Sequence, residues 1–345
     1  MIKVGIIYGG ASTEHEVSKM SAKSVIENLN KEKYDIKQIF IDEDGKWYST
    51  GENKKEEITN IIEELKKLDV VFPVLHGKYG EDGTIQGMLE MFNIPYVGCK
   101  VLASSVGMDK VYTKIVFEKA GIPQAPYIYI RKKENEYKIV NENFDEEKLD
   151  IEKIISKLKF PMFVKPSNSG SSVGVKKAED VEELQKAIEY AGEYDSKILV
   201  EEGIDGKEVE CAILETKGKQ VSCSVLNSGD KCDVLASTVG EVMSAEDFYS
   251  FDAKYNIPES KTIIPAIIEE SQIEEIRKLA VKAFKAIDGN GLSRVDFFIE
   301  KDTNKIYINE INTLPGFTKI SMYPKLFESI GIKYSDLLDI LIENA

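Results

Sequence analysis

Apolar residues occur along this chain in two patterns, short continuous runs and positions three or four residues apart, which predict alternating strands and helices. The first apolar run, residues 2–8, ends at Gly9 and Gly10, and helically spaced apolar residues follow from position 17 to position 29. A strand, a glycine turn and a helix in this order open an α/β domain with a site at the carboxyl end of its first strand. The turn lacks the GxGxxG spacing of dinucleotide-binding proteins, which disfavours an oxidoreductase of that class.

The predicted first helix begins with acidic residues at the mouth of this turn. Thr13 and Glu16 fit a capping box, with Thr13 as the predicted N-cap. Glu14 lies between them. On local grounds alone, Glu14 is explained more simply as an acid that complements the helix dipole than as a ligand-binding residue.

Most of the remaining chain gives further elements by the same criteria. Strands are predicted at residues 36–41, 70–75, 197–202 and 208–214, and helices within 54–68 and at 84–92, 110–119, 180–191 and 269–287. The charge-rich residues 132–153 are predicted to form a solvated helix with its loops, and residues 220–226 to pair with 208–214. Residues 227–258 show little regular pattern, and a polar segment of this length predicts an active-site lid.

A hairpin near the C-terminus is the strongest candidate for chemistry. Residues 293–300 and 306–312 are rich in β-branched and aromatic residues and flank a polar turn. If the turn centres on Thr303, Asp296 lies opposite Glu310, and alternation puts Arg294 and Asn312 on the same face. Facing carboxylates repel each other, so one explanation is a cation between them, such as Mg²⁺ with phosphate oxygens completing its shell. The other is an exposed charged hairpin, and this stretch alone leaves both open.

Three further stretches place polar residues at predicted strand ends. His76 begins a loop with three glycines, which is typical of a functional loop. Lys165 precedes a serine- and glycine-rich loop whose hydroxyls and N–H groups suit phosphate oxygens, and a flexible hairpin is the plainer alternative. Backbone groups of Glu202 and Ile204 are placed to contact an adenine edge, and Glu208 to hold ribose hydroxyls.

Composition narrows the function classes. The 345 residues suit two or three domains, and the net charge of −15 argues against a nucleic-acid-binding surface. No apolar run approaches the roughly 20 residues that span a bilayer, and the N-terminus has the pattern of a buried strand rather than of a signal peptide. The four cysteines show no metal-binding spacing and are expected to be reduced thiols, so a cytoplasmic protein is predicted.

The order of a lysine with a serine/glycine loop, a hinge and an acidic hairpin resembles the ATP-grasp superfamily, whose members clamp ATP between two sheets. In detail, the motifs resemble the D-alanine–D-alanine ligase family over nearly the whole chain, and its N-terminal domain separates this family from other ATP-grasp enzymes. The motifs are Gly9-Gly10-x-Ser-x-Glu14, His76-Gly-x-x-Gly-Glu-Asp-Gly, Met108-Asp-Lys110, Lys165-Pro with Gly170-Ser171-Ser172, Asp252-x-Lys254-Tyr255 and Asn309-Glu310-x-Asn312-Thr-x-Pro-Gly316.

The resemblance implies an α/β (α+β) ATP-grasp fold in three parts. Residues 1–104 would form a doubly wound α/β substrate-binding domain, 105–191 a central subdomain with the phosphate loop, and 192–345 a C-terminal antiparallel-sheet subdomain with the lid. The implied reaction joins two D-alanines through a D-alanyl phosphate, with ATP as co-substrate, for peptidoglycan precursor synthesis. The resemblance also implies Mg²⁺, normally as two ions, with Mn²⁺ as a substitute, and a homodimer without nucleic-acid or membrane partners.

The resemblance also implies individual roles in binding the nucleotide and the metal. Lys110, Lys165 and the lid residue Lys254 would hold the phosphates of ATP. The other implied nucleotide contacts are Ser171, Ser172, Glu201, Glu202, Ile204, Glu208 and Asn309. The implied metal ligands are Asp296, Glu310 and Asn312.

Further roles are implied around the reacting groups. Arg294 and the N–H of Gly316 would face the oxyanion. Glu14 would bind the ammonium of the first D-alanine and connect through Ser171 to Tyr255, which closes the lid. The implied contacts with the rest of the substrates are His76 at the first D-alanine and Ser321 and Met322 at the second.

Particular residues weigh against the alternatives. Related vancomycin-resistance ligases use D-serine or D-lactate as second substrate; they often have arginine at the position of Met322, and the lactate type has a histidine in its lid. Here the lid has Tyr255 and no histidine, which favours D-alanine. A non-catalytic ATP-grasp sensor is expected to have lost a lysine or a metal ligand, and none is lost. The Glu14 turn, the His76 loop and residues 252–255 argue against a glutathione-synthetase-like ligase.

Overall fold

Strands in three sheets follow one another along the chain and determine where its loops converge. The structure is a computed structural model that describes residues 1–51, 54–134, 136–225, 231–243 and 261–345. The strands are β1 (Ile2–Gly9), β2 (Tyr34–Ile41), β3 (Trp47–Gly51), β4 (Lys54–Glu57), β5 (Val70–Val74), β6 (Tyr127–Lys133), β7 (Glu136–Val140), β8 (Glu146–Lys148), β9 (Met162–Pro166), β10 (Lys176–Ala178), β11 (Lys197–Glu202), β12 (Gly206–Glu215), β13 (Val234–Met243), β14 (Lys261–Ile263), β15 (Leu292–Glu300) and β16 (Ile306–Asn312).

Helices connect these strands and close the chain. They are α1 (His15–Asn28), α2 (Ile61–Leu65), α3 (Thr84–Met91), α4 (Val101–Met108), α5 (Lys110–Lys119), α6 (Ile151–Ile155), α7 (Val181–Ala191), α8 (Glu270–Ala286), α9 (Met322–Ser329) and α10 (Tyr334–Glu343). The side chains of Asp109 and Asp180 cap α5 and α7, as expected of aspartate at an N-cap. Among the helices of the described ranges, none combines the length and apolarity that a membrane crossing requires.

The N-terminal sheet has the order β4-β3-β2-β1-β5, with β1 between two parallel neighbours. Parallel strands covered on both faces need continuous apolar side chains, and β5 is buried along its whole length. Because the carboxyl ends of parallel strands meet at one edge, the loops after β1 and β5 lie together. Ser12 Oγ of the first loop donates a 2.8 Å hydrogen bond to the backbone oxygen of His76 in the second.

Two local predictions in this part are wrong. Residues 54–57 form strand β4 and not part of a helix, because pairing with β3 outweighs the helix propensity of lysine and glutamate. The Thr13 capping box is absent as well, since α1 begins at His15 with Glu14 as its N-cap and has no side-chain cap bond. The Glu14 carboxylate turns instead to Ser171, whose Oγ donates to it at 2.5 Å.

The central sheet is antiparallel and has the order β10-β9-β11-β6-β7-β8. The predicted helix over residues 132–153 is wrong: the segment holds the end of β6, then β7, β8 and the short α6. Cross-strand partners decide the structure of such a charged segment, and Ile139 and Val140 of β7 are buried. Strand β11 also belongs to this sheet, and the chain passes to the C-terminal sheet at residues 203–205.

The C-terminal sheet has the order β14-β13-β12-β15-β16. Strand β13 is largely buried, so the lid interpretation is wrong for this part of residues 227–258, and β12 pairs with β13 instead of residues 220–226. Ser237 and Thr238 interrupt the apolar residues of β13, and the buried Ser237 hydroxyl has backbone partners, as buried polar groups require. Ser237 Oγ accepts from the N–H of Ala212 and donates to the carbonyl of Thr238.

One hydrophobic core joins the N-terminal and C-terminal parts. The ring of Phe317 packs edge-on against Phe72 of β5, with centroids 5.4 Å apart, and in a tilted arrangement against Tyr323 of α9, with centroids 5.2 Å apart. All three side chains are fully buried. This contact anchors the loop between β16 and α9 beside the loops that follow β1 and β5.

Candidate active site

Two adjoining cavities lie where these loops meet the sheets. The smaller, about 140 Å³, is lined among others by Glu14, His76, Arg294, Asn312, Gly316, Ser321 and Met322. The larger, about 460 Å³, is lined among others by Lys165, Ser172, Glu201, Glu202, Ile204, Glu208 and Asn309. Lys110, Ser169, Ser171 and Glu310 line both, so the two cavities meet at these residues.

The acidic hairpin has the predicted register. Asp296 pairs with Glu310 and Arg294 with Asn312, as expected for a turn centred on Thr303. The register shifts by one residue beyond Asp296, which makes Asn309 the extra residue of a β-bulge. A bulge interrupts the alternation of side chains, and two consecutive residues, Asn309 and Glu310, therefore line the larger cavity.

Arg294 holds two buried carboxylates on neighbouring strands. It donates to both carboxylate oxygens of Asp296 at 2.7 Å, and its Nε lies 3.0 Å from Oε2 of Glu210. Burial acts to lower the pKa of this guanidinium, but Asp296 and Glu210 raise it well above its ordinary value. Arg294 is therefore a permanent cation at the wall of the smaller cavity.

The predicted metal ligands lie on the same face but are not equally accessible. Glu310 and Asn312 line the smaller cavity. Asp296 is 2% exposed and lies beneath Arg294, and it also accepts a 3.0 Å hydrogen bond from Asn312 Nδ2. Within the described ranges, no three His, Cys, Asp or Glu side chains already form a metal-binding group. Two carboxylates and an amide oxygen nevertheless fit Mg²⁺ when phosphate oxygens complete its shell, and such an ion would share Asp296 with Arg294.

A buried acid holds the lysine of the phosphate loop. Lys165 Nζ lies 2.5 Å from Oε2 of Glu201, and Lys114 Nζ lies 2.6 Å from Oε1 of the same residue. Burial opposes the charge on Glu201, but the two lysines lower the pKa of its carboxyl to about 2. Lys110 donates to the backbone oxygen of Ser169 at 2.6 Å. The larger cavity thus has two lysine cations at the end where it meets the smaller one.

The serine loop is shaped to contact Glu14. Ser171 and Ser172 have left-handed backbone conformations, with φ of 49° and 60°, which are unfavourable for residues other than glycine. This turn directs Ser171 Oγ to Glu14 Oε1, 2.5 Å away. A Cβ atom on Gly77 or Gly170 would come within 2.5 or 2.9 Å of Glu14 Oε2. Glycine at both positions therefore leaves room for the carboxylate in this place.

Both ring nitrogens of His76 have protein partners. Nδ1 lies 3.3 Å from the carbonyl oxygen of Leu314, and Nε2 lies 3.0 Å from Ser21 Oγ, which also accepts the N–H of Phe317 at 3.3 Å. Burial lowers the pKa of the imidazole, so His76 is neutral, and these partners assign its proton to Nδ1. His76 and Ser21 therefore fix residues 314–317, the segment that carries Gly316.

Glu81 is an acidic residue of the smaller cavity that the sequence analysis did not select. Its two carboxylate oxygens accept the N–H groups of Gly77 at 2.8 Å and of Leu314 at 3.3 Å. Removal from water and the nearby Glu14 carboxylate raise the pKa of Glu81 to about 8. The His76 motif contains this residue, but its spacing does not show which of its two acids points inward.

The far end of the smaller cavity is formed by the start of α9. Ser321 Oγ lies 3.0 Å from the backbone nitrogen of Thr318 and 2.8 Å from its Oγ1. Met322 is 6% exposed, and its Cε would lie 2.3 Å from a Cβ on Gly240 of β13. Met322 therefore packs directly on the C-terminal sheet and limits the depth of the cavity there.

The connector between the central and C-terminal sheets borders the larger cavity. The N–H of Glu202 donates to Pro126 at 3.0 Å and that of Gly203 to Pro161 at 2.8 Å. In the part of the chain that the structure describes, the N–H of Ile204 has no protein acceptor. Glu208 lies on β12 opposite Phe298, and both line the cavity. Ile204 lines this cavity, so a backbone donor without a protein acceptor borders the space that the sequence analysis assigned to adenine.

Family models match both halves of the chain. Residues 3–99 match the model described as D-ala D-ala ligase N-terminus, and residues 116–343 match D-ala D-ala ligase C-terminus. The chain belongs to the D-alanine–D-alanine ligase family. The resemblance inferred from the motifs is thereby confirmed.

Individual members of the D-alanine–D-alanine ligase family match over almost the full chain. The D-alanine–D-alanine ligase of Acetivibrio thermocellus is 49% identical, covering 99% of this chain and 95% of the relative. The crystal structure of the VanG D-Ala:D-Ser ligase from Enterococcus faecalis superposes with a TM-score of 0.82 at 36% identity, covering 99% of this chain and 98% of that one. The ATP complex of the Bacillus anthracis D-alanine–D-alanine ligase gives 0.76 at 32%, covering 100% and 97%. These matches confirm the α/β ATP-grasp fold.

The site residues expected for a D-alanine–D-alanine ligase converge on the two cavities, apart from Asp296, which lies behind Arg294. Lys254, Tyr255 and most of the predicted lid lie outside the described residues. Besides Glu81, the sequence analysis missed Glu210 and Lys114. Glu210 follows Glu208 by two positions on a strand, so alternation indicated its face, and Lys114 lies one helical turn after Lys110.

Proposed function

We propose that this chain ligates two D-alanines to D-alanyl-D-alanine with ATP, for peptidoglycan precursor synthesis. The single observation that carries the proposal is the junction of the two cavities at Lys110, Ser171 and Glu310. A small polar cavity that suits amino acids opens there onto a larger one with the pattern of a nucleotide site. Curated relatives that match almost the full chain bear the name of this activity.

In the first step, a carboxylate oxygen of one D-alanine attacks the γ-phosphorus of ATP. The bond between that phosphorus and the bridging oxygen breaks, giving D-alanyl phosphate and ADP. Glu14, oriented by Ser171, binds the substrate ammonium. Lys110 and Lys165 hold the phosphates, because phosphoryl transfer depends mostly on positioning and charge neutralisation.

In the second step, the amine of the other D-alanine loses a proton and attacks the carbonyl carbon of D-alanyl phosphate. The resulting tetrahedral intermediate expels phosphate as its carbon–oxygen bond breaks. Arg294 and the N–H of Gly316 face the oxyanion, where fixed donors are most effective. His76 acts near the first substrate by fixing the segment that carries Gly316, and Ser321 and Met322 meet the second D-alanine.

The larger cavity holds the nucleotide in this proposal. The carbonyl of Glu202 and the N–H of Ile204 contact the adenine edge, and Glu208 binds the ribose. The serine loop, with Ser171 and Ser172, encloses the phosphates beside Asn309. Glu201 contributes through Lys165, and the family resemblance gives Lys254 and Tyr255 the role of keeping water from the acyl phosphate.

The proposal includes Mg²⁺, normally two ions, with Mn²⁺ as a substitute. Asp296, Glu310 and Asn312 would hold it, and when bound it supplies charge neutralisation at the phosphates. The family resemblance supports three further proposals: a homodimer, a cytoplasmic location, and the division into residues 1–104, 105–191 and 192–345.

D-Serine is the second candidate for the second substrate, because the VanG D-Ala:D-Ser ligase is among the matching structures. Met322 favours D-alanine instead. The test is phosphate release from ATP and Mg²⁺ with D-alanine alone, D-alanine with D-serine, D-alanine with D-lactate, and L-alanine, with the products identified by mass. D-Alanyl-D-alanine is the expected main product. A mainly mixed product would move the chain to the resistance-type ligases, and ATP binding without release would favour a sensor.

A further inference from the structure

Lys114 is a buried cation that lines neither of the two large cavities. Its residue is 3% exposed, and its Nζ lies 2.6 Å from Oε1 of Glu201, 3.4 Å from the carbonyl oxygen of Ala125 and 5.2 Å from the ring centre of Tyr127. With Lys110, Lys165, Glu310 and others it lines a void of about 10 Å³ beneath the junction of the cavities. Lys114 is therefore close to the phosphate-binding lysines without sharing their access to ligand.

Charge balance distinguishes Lys114 from a residue needed only for folding. Glu201 and Lys165 would form a neutral pair by themselves, and burying a second ammonium is unfavourable. Burial lowers the pKa of Lys114, but the Glu201 carboxylate 2.6 Å away favours its charged form. In that form, Lys114 gives this three-residue cluster, defined as Lys114, Glu201 and Lys165, a net charge of +1. The Glu201 carboxylate places one oxygen beside each lysine, 2.6 Å from Lys114 Nζ and 2.5 Å from Lys165 Nζ. The excess positive charge lies beside Lys110 and Lys165, which line the larger cavity.

We propose that Lys114 is a positioning residue for the nucleotide, which acts through Glu201. Lys114 binds one oxygen of the Glu201 carboxylate, so only about half of the negative charge of Glu201 compensates Lys165. The other oxygen fixes the Lys165 ammonium toward the polyphosphate. This inference rests on the proposed function only in that the larger cavity binds a nucleoside polyphosphate. It does not depend on which amino acids are ligated.

The diagnostic variant is Lys114→Met, which keeps the side-chain length and removes the charge. One unit charge acting on a polyphosphate across a partly buried site predicts a loss of about tenfold or more in affinity for ATP and ADP. Adenosine carries no phosphate, so its dissociation constant should change by less than about twofold. Calorimetric titrations of ATP, ADP and adenosine, without D-alanine, measure these changes directly.

A second substitution tests the charge itself. The cluster charge falls from +1 to 0 in Lys114→Met and returns to +1 in the double variant Lys114→Met/Glu201→Gln. The double variant should therefore recover most of the lost ATP affinity, although it has lost two native groups. Lys114→Arg keeps the charge and should retain ATP binding within about threefold. It also remains testable if Lys114→Met does not fold.

Lys100→Met is the matched control, because Lys100 is a half-buried lysine on the ring of Tyr96, outside both cavities. It should leave all three affinities unchanged. Equal losses for ATP and adenosine in Lys114→Met, unchanged ATP binding, or a double variant no better than the single one would each overturn the inference. If the unaltered protein binds ATP but ligates no D-amino acid, the proposed function fails while this inference stands. If it binds no ATP, both fail.

Discussion

Removing the charge of Arg294 tests whether one guanidinium compensates the two carboxylates behind it. The perturbation is Arg294→Met, which preserves much of the side-chain volume. Asp296 and Glu210 are 2% and 4% exposed, and Arg294 reaches both within 3.0 Å. Removal of one partner from a buried ion pair is unfavourable by about 3–5 kcal/mol, because the remaining charge has no compensation. We therefore expect a loss of this size in the local stability of β15.

Amide hydrogen exchange followed by mass spectrometry is the appropriate assay, because it reports the opening of individual strands. Exchange in peptides from β15 should accelerate by about a hundredfold to several thousandfold, the equivalent of this free energy. The single tryptophan, Trp47, lies in the N-terminal sheet. Its fluorescence should stay unchanged and serves as an internal control for the overall fold.

The double variant Arg294→Met/Asp296→Asn separates charge from packing. It removes one of the two uncompensated carboxylates, so the protection of β15 should recover by more than half relative to the single variant. Acceleration of less than about tenfold in Arg294→Met, or a double variant that opens faster than the single one, would refute this account of the hairpin.

Three other predictions follow from the smaller cavity. Ser171→Ala removes the 2.5 Å hydrogen bond to Glu14 and should lower kcat/KM for D-alanine by about tenfold to a hundredfold, with an unchanged melting temperature. Phosphate-release kinetics and a melting curve measure these two quantities, and a normal kcat/KM would contradict the prediction. The pKa of Glu81 is raised to about 8, so the folded state favours its protonated form, and the free energy of unfolding should fall as pH rises from about 4 toward 8. Urea unfolding at several pH values should show this slope in the parent but not in Glu81→Gln. Parallel pH profiles of the two proteins would contradict the prediction. Met322→Arg puts a cation beside the second substrate, which disfavours an ammonium group relative to a hydroxyl there. With D-alanine and D-lactate both present, mass spectrometry should show a larger share of D-alanyl-D-lactate, and an unchanged ratio of this product to D-alanyl-D-alanine across pH would count against the prediction.

Patterns among residues close in sequence were sufficient to predict the acidic hairpin and the glycine-bearing loops. The position of Thr303 between two strands set the pairing of Asp296 with Glu310, because register in a hairpin follows from its turn. The same holds for the capping of α5 by Asp109. In these cases, the interactions that decide the structure lie within a few residues of each other along the chain.

Tertiary partners decided the elements that sequence patterns misassigned. Charged residues 54–57 and 146–148 are strands because they pair with a neighbouring strand. In β13, Ser237, Thr238 and Gly240 interrupt the apolar run, although the strand is largely buried. No local pattern indicates such a neighbour, since β-structure depends on partners distant in sequence. The bulge at Asn309, one residue in size, is likewise a product of how β16 fits against β15.

By itself, the sequence determined the family and the identity of most groups around the two cavities. Only the tertiary structure decided what each group contacts. Ser171 meets Glu14 across 157 positions, and His76 contacts Leu314 across 238. Hydrogen bonds and ion pairs require separations of about 3 Å, which motif spacing does not encode. For this reason, the two hydrogen-bond partners of His76 and the carboxylate that Lys114 and Lys165 share became apparent only in the tertiary structure.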